Sequence, residues 1–241
     1  MADRQRAASA RFPLAYAAAS AAASAAGAFG TRRTAALTKP IPLVLLAGRA
    51  LLRRQERQHT GLGIDDALLA CAIAFSAAGD RAMLVEEFTP TDTEADRVTK
   101  DRRLATGAAL FGAAQLSYCA LLWRRGARPT VKAFVPRMAA LGESAAILAA
   151  NRPRPLLVLA PYGTSLASMS TLAGTVDTPQ PSARVGGLLF LASDFTILNR
   201  RHLIAGAMAR RLSEVWVLAS YFAAQYLLTD AVDIARSAET D

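Results

Sequence analysis

The chain has 241 residues, of which 53% are hydrophobic, 20% charged and 7% aromatic, with a formal net charge of +9. That apolar content excludes a disordered chain. Two cysteines and two histidines exclude a disulfide framework and speak against a metal site.

The charges are unevenly placed. Phe12 to Thr31 is free of charge, although its AYAAASAAASAAGAFG core is weakly apolar. Arg4, Arg6 and Arg11 before it resemble the basic start of a signal peptide. The run is too long for one and lacks a leucine-rich core, so it reads as a first transmembrane helix. Pro40 to Leu52 carries only Arg49, and Ala67 to Val85 carries Asp80 and Arg81. Leu104 to Trp123 and Pro155 to Val176 are again free of charge. Met138 to Asn151 carries Glu143, Val185 to Asn199 carries Asp194, and Val215 to Val232 carries Asp230. A hydrocarbon core of about 30 Å needs about 20 apolar residues at 1.5 Å per helical residue. Eight spans are predicted on that basis, at 12–30, 36–53, 64–85, 104–123, 131–150, 155–174, 184–200 and 212–232.

The expected fold is therefore an all-α polytopic transmembrane bundle of about eight helices. Residues 1–11 form a short basic tail, 12–232 a single transmembrane domain and 233–241 a polar tail. An even number of spans places both termini on one side. Arginines gather at the span ends, as in Arg32/Arg33, Arg53/Arg54/Arg57, Arg124/Arg125/Arg128, Arg152/Arg154, Arg200/Arg201 and Arg210/Arg211. There the stem lies along the apolar slab and the guanidinium reaches the headgroups. The net charge thus belongs to a bilayer and not to a nucleic acid, which needs basic residues on one face among stacking aromatics. Lys+Arg totals are similar on the two sides, so orientation is open. The acidic stretch at 86–103, with Glu86, Glu87, Asp92, Glu94, Asp96 and Asp101, reads as a solvated loop.

Two carboxylates stand inside spans. Asp80 follows Gly79 and Asp194 follows Ser193. A mid-span carboxylate costs about 2.5–3.5 kcal/mol on insertion scales and is kept where it faces the bundle interior or an aqueous cavity. Two such groups on one cavity can serve as general acid and general base. The structural alternative is a hydrogen bond to a partner helix. Gln115 with Tyr118 (i, i+3) and Tyr221 with Gln225 (i, i+4) each share a helix face. Interhelical hydrogen bonding is the plain reading of each pair. Glu143 reads as interfacial, His59 and His202 as solvated loop residues, and Cys71 and Cys119 as small hydrophobes. No nucleophile elbow or P-loop is present.

The segments also resemble those of the YhhN family of integral membrane proteins, whose characterised members are lysoplasmalogenases. The likeness runs from about residue 36 to 230 in the family's order. It is carried by Lys39-Pro40, by Ala74-Phe75-Ser76-Ala77-Ala78-Gly79-Asp80 and by Gly107 to Tyr118. Tyr162 to Met169, Gly186 to Asp194 and Tyr221 to Gln225 complete it. One departure is that Gln115 stands where the family commonly has histidine; glutamine hydrogen-bonds but does not shuttle a proton near neutral pH.

The resemblance implies hydrolysis of the vinyl ether bond of a lysoplasmalogen to a fatty aldehyde and glycerophosphocholine or glycerophosphoethanolamine. It implies Asp80 and Asp194 as the catalytic pair, in either order. Gln115, Tyr118, Tyr162, Ser193, Tyr221 and Gln225 would support them or bind substrate. No metal or cofactor is implied. The partners are a lysophospholipid and the bilayer, the latter contributing interfacial arginine–phosphate contacts. The location is the plasma membrane of a bacterium. Two other readings compete: a lipid or small-solute transporter whose carboxylates carry protons or cations, and a soluble helical bundle that binds a partner.

Overall fold

The computed structural model describes residues 2–56, 63–151, 153–176, 181–204 and 206–238. Every regular element among the described residues is an α-helix. In order these are α1 (Ala2–Phe29), α2 (Arg32–Thr38), α3 (Pro40–Glu56), α4 (Ile64–Glu87) and α5 (Glu94–Arg124). Then come α6 (Val131–Asn151), α7 (Leu156–Ala173), α8 (Pro181–Leu203) and α9 (Ala207–Ala238). The seven-residue α2 and α3 make one apolar pass, Arg32–Gln55. Eight passes result, at the positions expected from the charge pattern, and the protein is a multi-pass membrane protein. Six passes are long and apolar enough to cross a membrane unaided. The other two, α6 and α8, carry Arg137 and Asp194, whose side chains hydrogen-bond to α7.

Large apolar side chains cover the outside as well as the core, and polar ones are buried among the helices. Leu14, Leu37, Leu116, Val131 and Leu157 point outward, the last 87% exposed. Ser76, Gln115, Ser170, Thr171, Ser193, Gln225 and Thr229 are buried. Exposed apolar side chains of this kind suit contact with lipid tails. Trp123 and Trp216 are half-exposed near opposite ends of the bundle, where the amphipathic indole suits the headgroup level.

The helices α4, α5, α7, α8 and α9 pack in that order around the interior. From one side α1 and α3 lean on α9, and α6 leans on α7 and α8. Close approach depends on glycine at two points on α8. A Cβ on Gly187 would meet Ala173 and Ser170 at 2.9 and 3.1 Å, and one on Gly186 would meet Leu227 and Leu228 at 3.1 Å. Between α3 and α9, Arg49 forms an ion pair with Asp230. Its guanidinium lies 4.8 Å from the Phe12 ring centroid and 5.2 Å from that of Tyr226.

The acidic stretch at 86–103 is not a solvated loop. Glu86 is fully buried, and residues 94–103 are the first turns of α5. Two local features account for this. Thr93 and Asp96 form a reciprocal capping box that starts the helix early. Arg103 donates to the Thr89 hydroxyl at 2.7 Å and Lys100 to the Thr89 carbonyl at 3.3 Å, which folds the turn back onto α5. His59, Arg57 and Arg152 lie outside the described residues, as do the side chains of Arg200, Arg201 and His202.

Candidate active site

Asp80 sits seven residues before the end of α4, about 10 Å down the helix at 1.5 Å per residue. Asp194 occupies a comparable level of α8. Both line one interior cavity of about 130 Å³, together with Tyr162, Ser193 and Tyr221. One water needs about 10–15 Å³ on the same measure, so the space admits water beside a short stretch of hydrocarbon chain. The remaining wall is largely apolar, including Met83, Phe111, Leu159 and Ile197.

Each carboxyl is held by one phenol. Tyr221 donates to Asp80 Oδ2 at 3.0 Å. Tyr162 donates to Asp194 Oδ2. The Tyr221 ring is fixed in turn by edge contacts with Phe111 and Phe190, centroids 5.8 and 5.5 Å away. Phe111 fits because residue 79 has no side chain: a Cβ on Gly79 would meet its ring at 2.9 Å. The surroundings of the two carboxyls differ. Lys39, which lies 3.8 Å from Glu214, lines the cavity with Asp80, while Asp194 is bonded by the neutral Tyr162.

Of the eight expected residues, five line the cavity and three do not. Tyr118 and Gln225 bond each other, the phenol donating to Gln225 Oε1 at 2.7 Å, and Gln225 Nε2 donates to Ser76 at 2.8 Å. Ser76 and Asp80 lie one turn apart on α4, and Gln225 and Tyr221 one turn apart on α9, so two parallel side-chain rungs join these helices. Ser193 donates to the Val217 carbonyl at 3.0 Å and ties α8 to α9.

Gln115 is fully buried against Ser165 of α7. Ser165 Oγ lies 2.6 Å from Gln115 Oε1 and 2.7 Å from the Tyr162 carbonyl, and a hydroxyl has one proton for these two acceptors. The Gln115 amide nitrogen meanwhile has no hydrogen-bond partner. The Gln115 side chain also bears on the Tyr162 hydroxyl. Gln115 thereby braces the turn of α7 that carries Tyr162.

From sequence, Lys39 reads only as a span opener, Phe111 only as part of the Gly107 to Tyr118 segment, and Ser165 only as a helix-packing residue. The helical spacing held a signal for the last: Ser165 follows Tyr162 by three residues, on one face of α7.

No curated protein and no solved structure gives a significant match to this chain. The model of the YhhN family matches residues 34–232, which takes in every span from the second to the eighth and all the cavity residues named above. The chain belongs to the YhhN family.

Proposed function

We propose that the protein is a membrane-embedded hydrolase of the lysoplasmalogenase type, acting in the plasma membrane of a bacterium through a single transmembrane domain over residues 12–232. The observation that carries this reading is the pair of carboxyls, Asp80 and Asp194, on one small and mostly apolar cavity, each oriented by a phenol. Family membership supports it.

Vinyl ethers hydrolyse through protonation of the alkene carbon remote from oxygen. In this reading Asp194 is the acid. Tyr162 occupies Oδ2, so Oδ1 is left to deliver the proton to that carbon. The carbon attached to the ether oxygen becomes an oxocarbenium ion. Asp80, which shares the cavity with Lys39, stabilises the cation and takes a proton from the attacking water. The resulting hemiacetal collapses to a fatty aldehyde and the freed glycerol hydroxyl, and the two carboxyls return to their starting states. No cofactor is needed, since only protons and one water are exchanged.

The direct test is to supply lysoplasmenylethanolamine to the purified protein in detergent or nanodiscs and to follow aldehyde release. A folded, monodisperse preparation that releases none sinks the assignment. The transporter reading predicts instead proton-coupled solute movement in liposomes, with no aldehyde formed.

A further inference from the structure

One end of the bundle holds a wide cavity of about 940 Å³ in which basic side chains, Lys39, Arg97 and Arg211 among them, mix with carboxylates. At the other end α7 finishes and α8 begins. There Arg137 of α6 and Arg184 of α8 converge on Gly174, the residue that closes α7. Arg137 Nη2 lies 3.9 Å and Arg184 Cγ 3.7 Å from the position a Cβ would take at Gly174. The two guanidiniums are near enough to repel each other. Neither forms an ion pair with a carboxylate among the described residues, whereas Arg54, Arg124 and Arg125 at the same end all do.

We propose that Arg137 and Arg184 bind the phosphodiester of an anionic phospholipid, one whose headgroup carries no ammonium, at the rim of the bundle between α6 and α8. The Arg137 guanidinium is already aimed. Its Nε donates to Ser170 Oγ at 3.0 Å and its Nη1 to the Ala133 carbonyl at 2.5 Å, which fixes its plane. Nη2 and its two N–H groups are left on the side of Gly174. Arg184 is exposed and its stem passes the same glycine. A phosphate between the two takes charge-assisted hydrogen bonds from both and relieves their repulsion, as basic sites between transmembrane helices do for anionic headgroups. With no carboxylate paired to either arginine, nothing there favours an ammonium. A lipid also suits the surroundings better than a free anion does. Val185 and Leu188, beside Arg184 and one turn beyond it on α8, are apolar and exposed, a surface for acyl chains. Arg184 precedes Asp194 by ten residues, about 15 Å along α8, so a lipid held here is outside the carboxyl cavity. The inference is therefore independent of the hydrolase reading.

The test is lipid binding to the full chain in detergent, read as the lipid-bound fraction by native mass spectrometry. Phosphatidylglycerol and phosphatidylcholine with the same acyl chains are titrated separately, and inorganic phosphate serves as competitor. The variants are Arg184→Gln, Arg137→Gln/Arg184→Gln and, as control at the far end, Arg102→Gln, each checked for unchanged elution. Wild type is expected to prefer phosphatidylglycerol. Its affinity should fall about fivefold in Arg184→Gln and about tenfold or more in the double variant, and stay at the wild-type level in Arg102→Gln. The Arg184 side chain is exposed, so that single variant decides the matter even where loss of the Arg137–Ser170 contact unfolds the double one. Equal affinity for the two lipids overturns the proposal, as does unchanged phosphatidylglycerol binding in a folded Arg184→Gln protein. Inorganic phosphate that displaces phosphatidylglycerol at similar concentration assigns the arginines to a free anion and overturns the lipid.

Discussion

The Tyr221 hydroxyl on α9 donates to Asp80 on α4 at 3.0 Å, between helices whose backbones do not pack closely. Its ring is clamped by Phe111 and Phe190, so the phenol aims the carboxyl. Tyr221→Phe keeps the ring contacts and removes the hydrogen bond alone. Turnover is expected to fall about tenfold with the fold intact, the equivalent of about 1.4 kcal/mol in the barrier. Wild-type turnover in a folded Tyr221→Phe protein would mean that Asp80 needs no such aim.

The two carboxyls have distinct roles in the proposed chemistry. Asp80→Asn and Asp194→Asn are each expected to lower turnover by about 10²–10⁴, the range for loss of a general acid or base. Infrared difference spectra separate the roles. The stretch of a protonated carboxyl is lost in Asp194→Asn and kept in Asp80→Asn. The opposite pattern reverses the assignment, and activity in both variants removes the carboxyls from the mechanism.

Gly79 makes room for Phe111, whose ring lies 2.9 Å from the position of a Cβ there. Gly79→Ala is expected to destabilise the protein by about 1–3 kcal/mol through overpacking and to lower turnover by disturbing Tyr221. Thermal unfolding in detergent reads the first effect and aldehyde release the second. Adding Phe111→Leu should restore stability but not turnover, because the ring that braces Tyr221 is gone.

The Arg49–Asp230 pair has side chains only 13% and 19% exposed. Removing either partner strands the other, and a loss of about 3 kcal/mol is expected. Arg53, 3.7 Å from Asp230, partly replaces Arg49, so Asp230→Ala should be the more damaging change. The double variant Arg49→Met/Asp230→Leu should recover most of the loss. If it is no more stable than either single variant, the pair is not the cause.

The spans were readable because charge is costly in hydrocarbon, so a run of about 20 residues without it marks a membrane pass. Asp80 and Asp194 stood out for the same reason. What could not be read was pairing. Tyr118 and Gln225 sit at spacings that mark a shared face, but the partner across the bundle decides whether a polar group meets the cavity or another side chain. Here those two meet each other. Lys39 escaped notice because basic residues are common at span ends, and only tertiary structure brings it to Asp80. The early start of α5 was hidden by its charges, which suit a helix standing clear of the bilayer as well as they suit a loop. The Thr93–Asp96 capping box was the local sign.

Eight passes have a consequence for lipid supply. The outer ends of α1 and α9, Ala2 and Ala238, lie at the end of the bundle opposite the wide charged cavity lined by Lys39, Arg97 and Arg211, so that cavity opens toward one leaflet and these two helix ends emerge at the other face. A fluorescent protein fused after Asp241 that matures only in the cytosol therefore reports which monolayer the cavity opens to. If it glows, the mouth faces outward. Lipids made on the inner side must then cross the membrane before they reach it.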